Sequence, residues 1–144
     1  MTHPQTFAKR LLEDLPFENL VNIEKYGCCA FVLLWCLKIE PESDLDAILM
    51  LRKMIKAKVI GMDCTVIWAD AVKFLTGKNC TVDFISINDI KDIKERTPVR
   101  FDYGGKSHWV GVENGKVAFN PLEASLCVTK GKPASMRKIT FKGK

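Results

Sequence analysis

Long apolar runs are missing from this 144-residue chain. The longest, Cys28 to Leu37, covers ten residues, well short of the roughly 20 that a membrane-spanning helix needs. No membrane is expected as a partner. The opening residues, Met1-Thr2-His3-Pro4-Gln5, lack the basic and then apolar layout of a secretory signal. The expectation is a cytoplasmic chain, or one exported by a route the sequence does not show. Histidine is scarce, with His3 and His108 alone, and the six cysteines (28, 29, 36, 64, 80 and 127) form no C-x-x-C pair. A zinc site would need widely scattered ligands, and a reducing compartment disfavours structural disulfides. Neither metal nor cofactor is expected, and most of the cysteines read as small buried hydrophobes. A glycine-rich phosphate loop, a nucleophile-elbow serine and an H-E-x-x-H helix are likewise missing.

Acidic residues are absent after Glu123, where six basic ones follow: Lys130, Lys132, Arg137, Lys138, Lys142 and Lys144. They account for the net charge of +5, leaving the rest of the chain nearly neutral. Such a tail can meet nucleic acid or an anionic surface. No basic motif interleaved with aromatics supports that role, so a solvated final strand is the expectation and nucleic acid is not expected as a partner.

What is present is the balance of an ordinary folded domain, 47% apolar and 27% charged. No repeat or linker divides residues 1–144, so a single domain is expected. The pattern predicts helices over Phe7–Leu15, Cys28–Lys38, Ser43 to about Lys58, and Cys64–Leu75 with Asp63 as its cap. A short charged helix is predicted from Ser86 to before Pro98. Strand-like runs follow at Val99–Tyr103, Ser107–Glu113, Lys116–Phe119 and Ser125–Thr129, with Thr81–Ile85 as one more. Gly104-Gly105 and Asn114-Gly115 between them are hairpin signals. Helices first and an antiparallel sheet after describe an α+β fold. Trp35, Trp68, Phe31, Leu33, Leu34 and Leu37 read as core, and Asp63, Asp70 and Asp102 as solvated caps and turns.

One constellation can carry chemistry. In Gly27-Cys28-Cys29-Ala30 a thiol stands at the first turn of a buried helix, where unpaired N–H groups and the helix dipole favour a thiolate. Cys28 is therefore expected to be the most reactive of the six thiols. His108, in Ser107-His108-Trp109-Val110-Gly111-Val112, is the candidate base, His3 being set aside at a floppy terminus. Asn120 is the candidate orienter of the imidazole. Register decides whether it can act. A two-residue Asn114-Gly115 turn pairs His108 with Pro121 and sends Asn120 to the other face. A three-residue loop, Glu113-Asn114-Gly115, or a bulge near Pro121, brings Asn120 to the face of His108.

A Cys at a helix start, then His-Trp-Val on a strand, then Asn-Pro after the next strand, resembles the papain-like cysteine peptidases. The likeness is greatest to the compact bacterial peptidases that process double-glycine leader peptides and to their stand-alone relatives. It covers about residues 22–122. It implies a papain-like fold, N-terminal helices packed on a C-terminal antiparallel sheet, and a Cys28, His108, Asn120 set acting on a peptide or amide carbonyl of a peptide or protein substrate. The family carries a glutamine six residues before the nucleophile as oxyanion donor, and Asn22 stands there in this chain. Gly27, which permits close approach, and Trp109, as a cleft wall or as core, are the implied substrate contacts. Cys29 stays open as the alternative nucleophile. So does a catalytically silent papain-like module retained for binding or assembly.

Overall fold

The computed structural model describes residues 1–8, 27–61, 64–122 and 125–142. Residues 4–8 are helical, and the remainder of the helix predicted over Phe7–Leu15 lies outside the described residues. Helix α1 is Cys28–Cys36, apolar on all sides, with Ala30 to Leu34 fully buried. A helix of that composition belongs inside a fold. Helix α2, Asp44–Lys56, begins where the side chain of Ser43 accepts the N–H of Asp46. Asp44 and Asp46 in its first turn and Lys53 and Lys56 in its last complement the helix dipole.

Helix α3, Trp68–Thr76, starts later than the pattern predicts. Cys64 adopts a left-handed φ of 61°, and Ile60 bridges Val66, so the chain turns back before it can coil. Asp63 lies outside the described residues. Gly77, at φ 75°, closes the helix in the left-handed conformation that glycine adopts without strain.

Strands β1 (Cys80–Ser86), β2 (Thr97–Tyr103), β3 (Lys106–Glu113), β4 (Lys116–Phe119) and β5 (Lys132–Phe141) form one sheet in the order β1-β5-β2-β3-β4. Every pairing is antiparallel. The protein is thus an α+β molecule with a five-stranded antiparallel sheet. The basic C-terminal segment is the final strand, with Lys132 and Lys138 exposed as expected, but it is a central one, since β5 runs between β1 and β2. Its Arg137 lies over the rings of Phe84, Trp109 and Trp68 at 4.5, 5.1 and 5.6 Å. Those contacts let a cation sit on the helix-facing side of a central strand.

Two further predictions are corrected. Ser125–Thr129 supplies no strand: residues Leu126–Thr129 form the short helix α4. β5 takes the side of β2 that β3 leaves open, and Cys127 of this segment tucks instead beneath the sheet. The charged helix expected after Ser86 is absent too, residues 87–96 running as turns. Ile87, Ile90 and Ile93 there pack under Val99, Phe101, Val110 and Val112. Both faces of the sheet are therefore covered, one by α1 and its neighbours, the other by α4 and this loop.

The β2–β3 and β3–β4 hairpins close on two-residue turns. Gly104, Gly105, Asn114 and Gly115 all have positive φ, between 53° and 79°, the twist-matched geometry that favours such residues. The three-residue loop is thereby excluded. A bulge takes its place: Val112 pairs with Val117, but Gly111 pairs with Phe119, so Ala118 is an extra residue in β4. One added residue reverses the alternation of side chains. Asn120 returns to the face that carries His108.

Candidate active site

A cleft of about 400 Å³ opens where the N-terminus of α1 meets the start of β3. Cys28 and His108 both line it. Cys28 arrives there because Gly27, as N-cap, starts α1, its carbonyl accepting the N–H of Phe31. His108 arrives as the third residue of β3, opposite Phe101, and is 4% exposed. Asn120 follows the end of β4, and its Oδ1 lies 2.7 Å from His108 Nε2.

That contact fixes the protonation of the ring. The backbone N–H of Leu122 donates to the same Oδ1 at 3.1 Å. A main-chain N–H is always a donor, so this atom is the carbonyl oxygen of the carboxamide. His108 Nε2 must then carry the proton it shares with Asn120. In the neutral ring, Nδ1 is left with the lone pair and can act as a base. Burial pulls the His108 pKa below its ordinary value, partly offset by the bond to Asn120. The neutral imidazole is the resting form at pH 7.

The thiol departs from expectation. Burial pushes the Cys28 pKa above the usual thiol value, against hydrogen bonds from the backbone N–H groups of Trp109, Cys29 and Cys28 that favour the thiolate. The helix start acts in the direction expected, but desolvation outweighs it. Cys28 and His108 therefore rest as thiol and imidazole, not as an ion pair. No family model matches this chain, and neither does any curated protein or solved structure.

The remaining expected site residues are distributed differently. Gly27 is buried as the α1 N-cap and does not line the cleft. The Trp109 ring packs on Trp68, with centroids 5.5 Å apart, so this residue meets Cys28 through its backbone and its ring joins the core. Cys29, half-buried like Cys28, packs against the core, and burial raises its pKa well above the ordinary thiol value, with the neighbouring Cys28 next. Asn22 lies outside the described residues. Asp102 pairs with Arg100 and accepts from Ser107 Oγ, while Asp70 sits exposed in the first turn of α3. Among the described residues no three Cys, His, Asp or Glu side chains gather as metal ligands.

Gln5 is a cleft residue that the sequence pattern does not announce. It is 4% exposed yet lines the cavity with Cys28 and His108, and its backbone N–H donates to Pro121 O at 3.0 Å. An amide 23 residues before the thiol carries no recognisable spacing. Only the folding of residues 1–8 against Pro121 brings it there. Two exposed apolar side chains, Tyr103 and Leu126, stand on the same cleft.

Proposed function

We propose that the protein is a papain-like cysteine peptidase or amidase whose Cys28 attacks a peptide or amide carbonyl. The observation that carries this reading is the 2.7 Å contact of His108 with Asn120, in a cleft that also holds Cys28. In the first step the Cys28 proton moves to His108 Nδ1 as the sulfur bonds to the carbonyl carbon. The tetrahedral intermediate collapses, the C–N bond breaks, and the imidazolium returns its proton to the leaving amine. Water, deprotonated by His108, then hydrolyses the thioester and regenerates the thiol. Asn120 keeps Nδ1 available by holding the proton on Nε2. The backbone N–H of Cys28 and the carboxamide of Gln5 are the candidate oxyanion donors.

A catalytically silent papain-like binding module is the second reading, favoured by the burial that raises the Cys28 pKa. One experiment separates them. The protein is incubated with a fluorogenic peptide library at pH 7 to 9, beside Cys28→Ala. Hydrolysis by the wild type that disappears in Cys28→Ala, with an acyl-thioester seen by mass spectrometry, supports the peptidase. Equal turnover by both proteins, or none by either, removes it.

A further inference from the structure

The first residues of the chain are set against the candidate site and are not a loose terminus. Thr2 N–H donates to Asp44 Oδ1 at 2.7 Å and His3 N–H to Asp44 Oδ2 at 3.4 Å, at the start of α2. On its other side the segment reaches the stretch after β4. His3 Nδ1 lies 3.0 Å from the backbone oxygen of Asn120, and the N–H groups of Gln5 and Thr6 point at Pro121 O at 3.0 and 3.4 Å. A carbonyl oxygen accepts only, so His3 Nδ1 is the donor.

Asn120 is therefore gripped at both ends. Its backbone oxygen is held by His3, and its side-chain oxygen receives Leu122 N–H and His108 Nε2–H. Residues 120–122 belong to no helix or strand, so no ladder of backbone bonds fixes the direction in which Asn120 points. The bonds from residues 3–6 take that place. We propose that His3 is a positioning residue for the His108 imidazole, acting through the main chain of Asn120, with residues 2–6 forming a buckle between α2 and the Asn120–Pro121 turn. The effect on turnover rests on the peptidase reading, while the effect on the imidazole does not.

The test uses the full chain with ¹⁵N-labelled histidine. In the wild type the His108 ring shows the Nε2–H tautomer with a slowly exchanging proton. In His3→Ala the ring becomes a mixture of tautomers, and its titration midpoint falls further, because the bond to Asn120 that raises it is loosened. His3→Asn, whose amide can donate to the same oxygen, restores the wild-type spectrum. Where His3→Ala does not fold, His3→Leu, which fills the space without a donor, takes its place. Turnover of a peptide substrate drops in kcat by between tenfold and about 100-fold in His3→Ala, at constant KM, as a small misplacement of a catalytic group does. A wild-type His108 tautomer and midpoint in the folded variant without a donor overturn the proposal. An altered tautomer in a protein that never cleaves peptides leaves the buckle standing and removes the peptidase.

Discussion

His108 and Cys28 set the chemistry at the scale of single residues, and their shifts run in opposite senses. Burial lowers the His108 pKa and raises that of Cys28, so both stay neutral near pH 7. Alkylation of Cys28 by iodoacetamide should then be slow at pH 6 and accelerate steadily beyond pH 9, without the acidic plateau of a preformed thiolate. Mass-spectrometric mapping of labelling rate against pH checks it, and a fast plateau at pH 6 contradicts it. His108→Ala should abolish peptide cleavage, and Asn120→Ala should reduce kcat on the order of 10²-fold, the scale of a lost acid–base contribution. Folding should change little in the latter, as followed by thermal denaturation. The sequence made Cys28, His108 and Asn120 visible as a set because each sits in a short motif with its own backbone context. It left Gln5 and His3 hidden, since the segment that carries them acts through tertiary contacts 117 residues away. The thiol was misread as activated because a helix start is visible in sequence, whereas depth of burial is not.

At the scale of elements, the hairpin β3–β4 shows how a local rule and a functional geometry are reconciled. Asn114-Gly115 demands a two-residue turn, which alone would separate Asn120 from His108. The bulge at Ala118 corrects the phase, and no residue type in Val117-Ala118-Phe119 signals it. Gly111 beside that bulge faces the Trp35 ring so closely that an added Cβ would collide with it. Trp35 cannot yield easily. It is stacked on Phe119 with centroids 5.9 Å apart, lies under the Arg96 guanidinium at 4.5 Å, and its carbonyl accepts from Arg96 Nη1. Gly111→Ala should therefore cost about 1–3 kcal/mol of stability, the usual penalty of overpacking, measured by denaturant unfolding. Removing the α2 cap by Ser43→Ala should cost about 1 kcal/mol, read the same way. The helices α1 and α2 were legible from apolar spacing and capping. Residues 87–96 and Ser125–Thr129 were not, because covering the second face of the sheet overrode their local preference.

For the whole molecule, the same two shifts predict how stability depends on pH. His108 has a folded-state pKa below the ordinary 6.5, so its contribution is present above that value and lost as pH falls through the folded one. Cys28 has a folded-state pKa above the ordinary 9.0, so its contribution is present below that value and lost as pH rises through the folded one. Burial shifts Cys29 in the same direction. The melting temperature should thus be highest between pH 6.5 and 9.0 and decline on both sides. A calorimetric series across pH 5 to 10 tests it, and His108→Phe should flatten the acidic decline.

Strand β5 also has a meaning in time. During synthesis β1 emerges long before β5, its neighbour in the sheet, and β2 must wait for the same partner. The β2–β3–β4 meander can form as soon as it leaves the ribosome, since its contacts are local. Until Lys132–Phe141 follows, β1 and one side of β2 present unpaired backbone to the surrounding solution, a template for pairing with other chains. A nascent chain arrested before Lys132 should be cut by protease within β1, and one released after Phe141 should resist. The strand that carries Lys132, Arg137 and Lys138, half of the late positive charge, is thus also the one whose arrival pairs β1 and the open side of β2, leaving only β1 and β4 as the edges of the finished sheet.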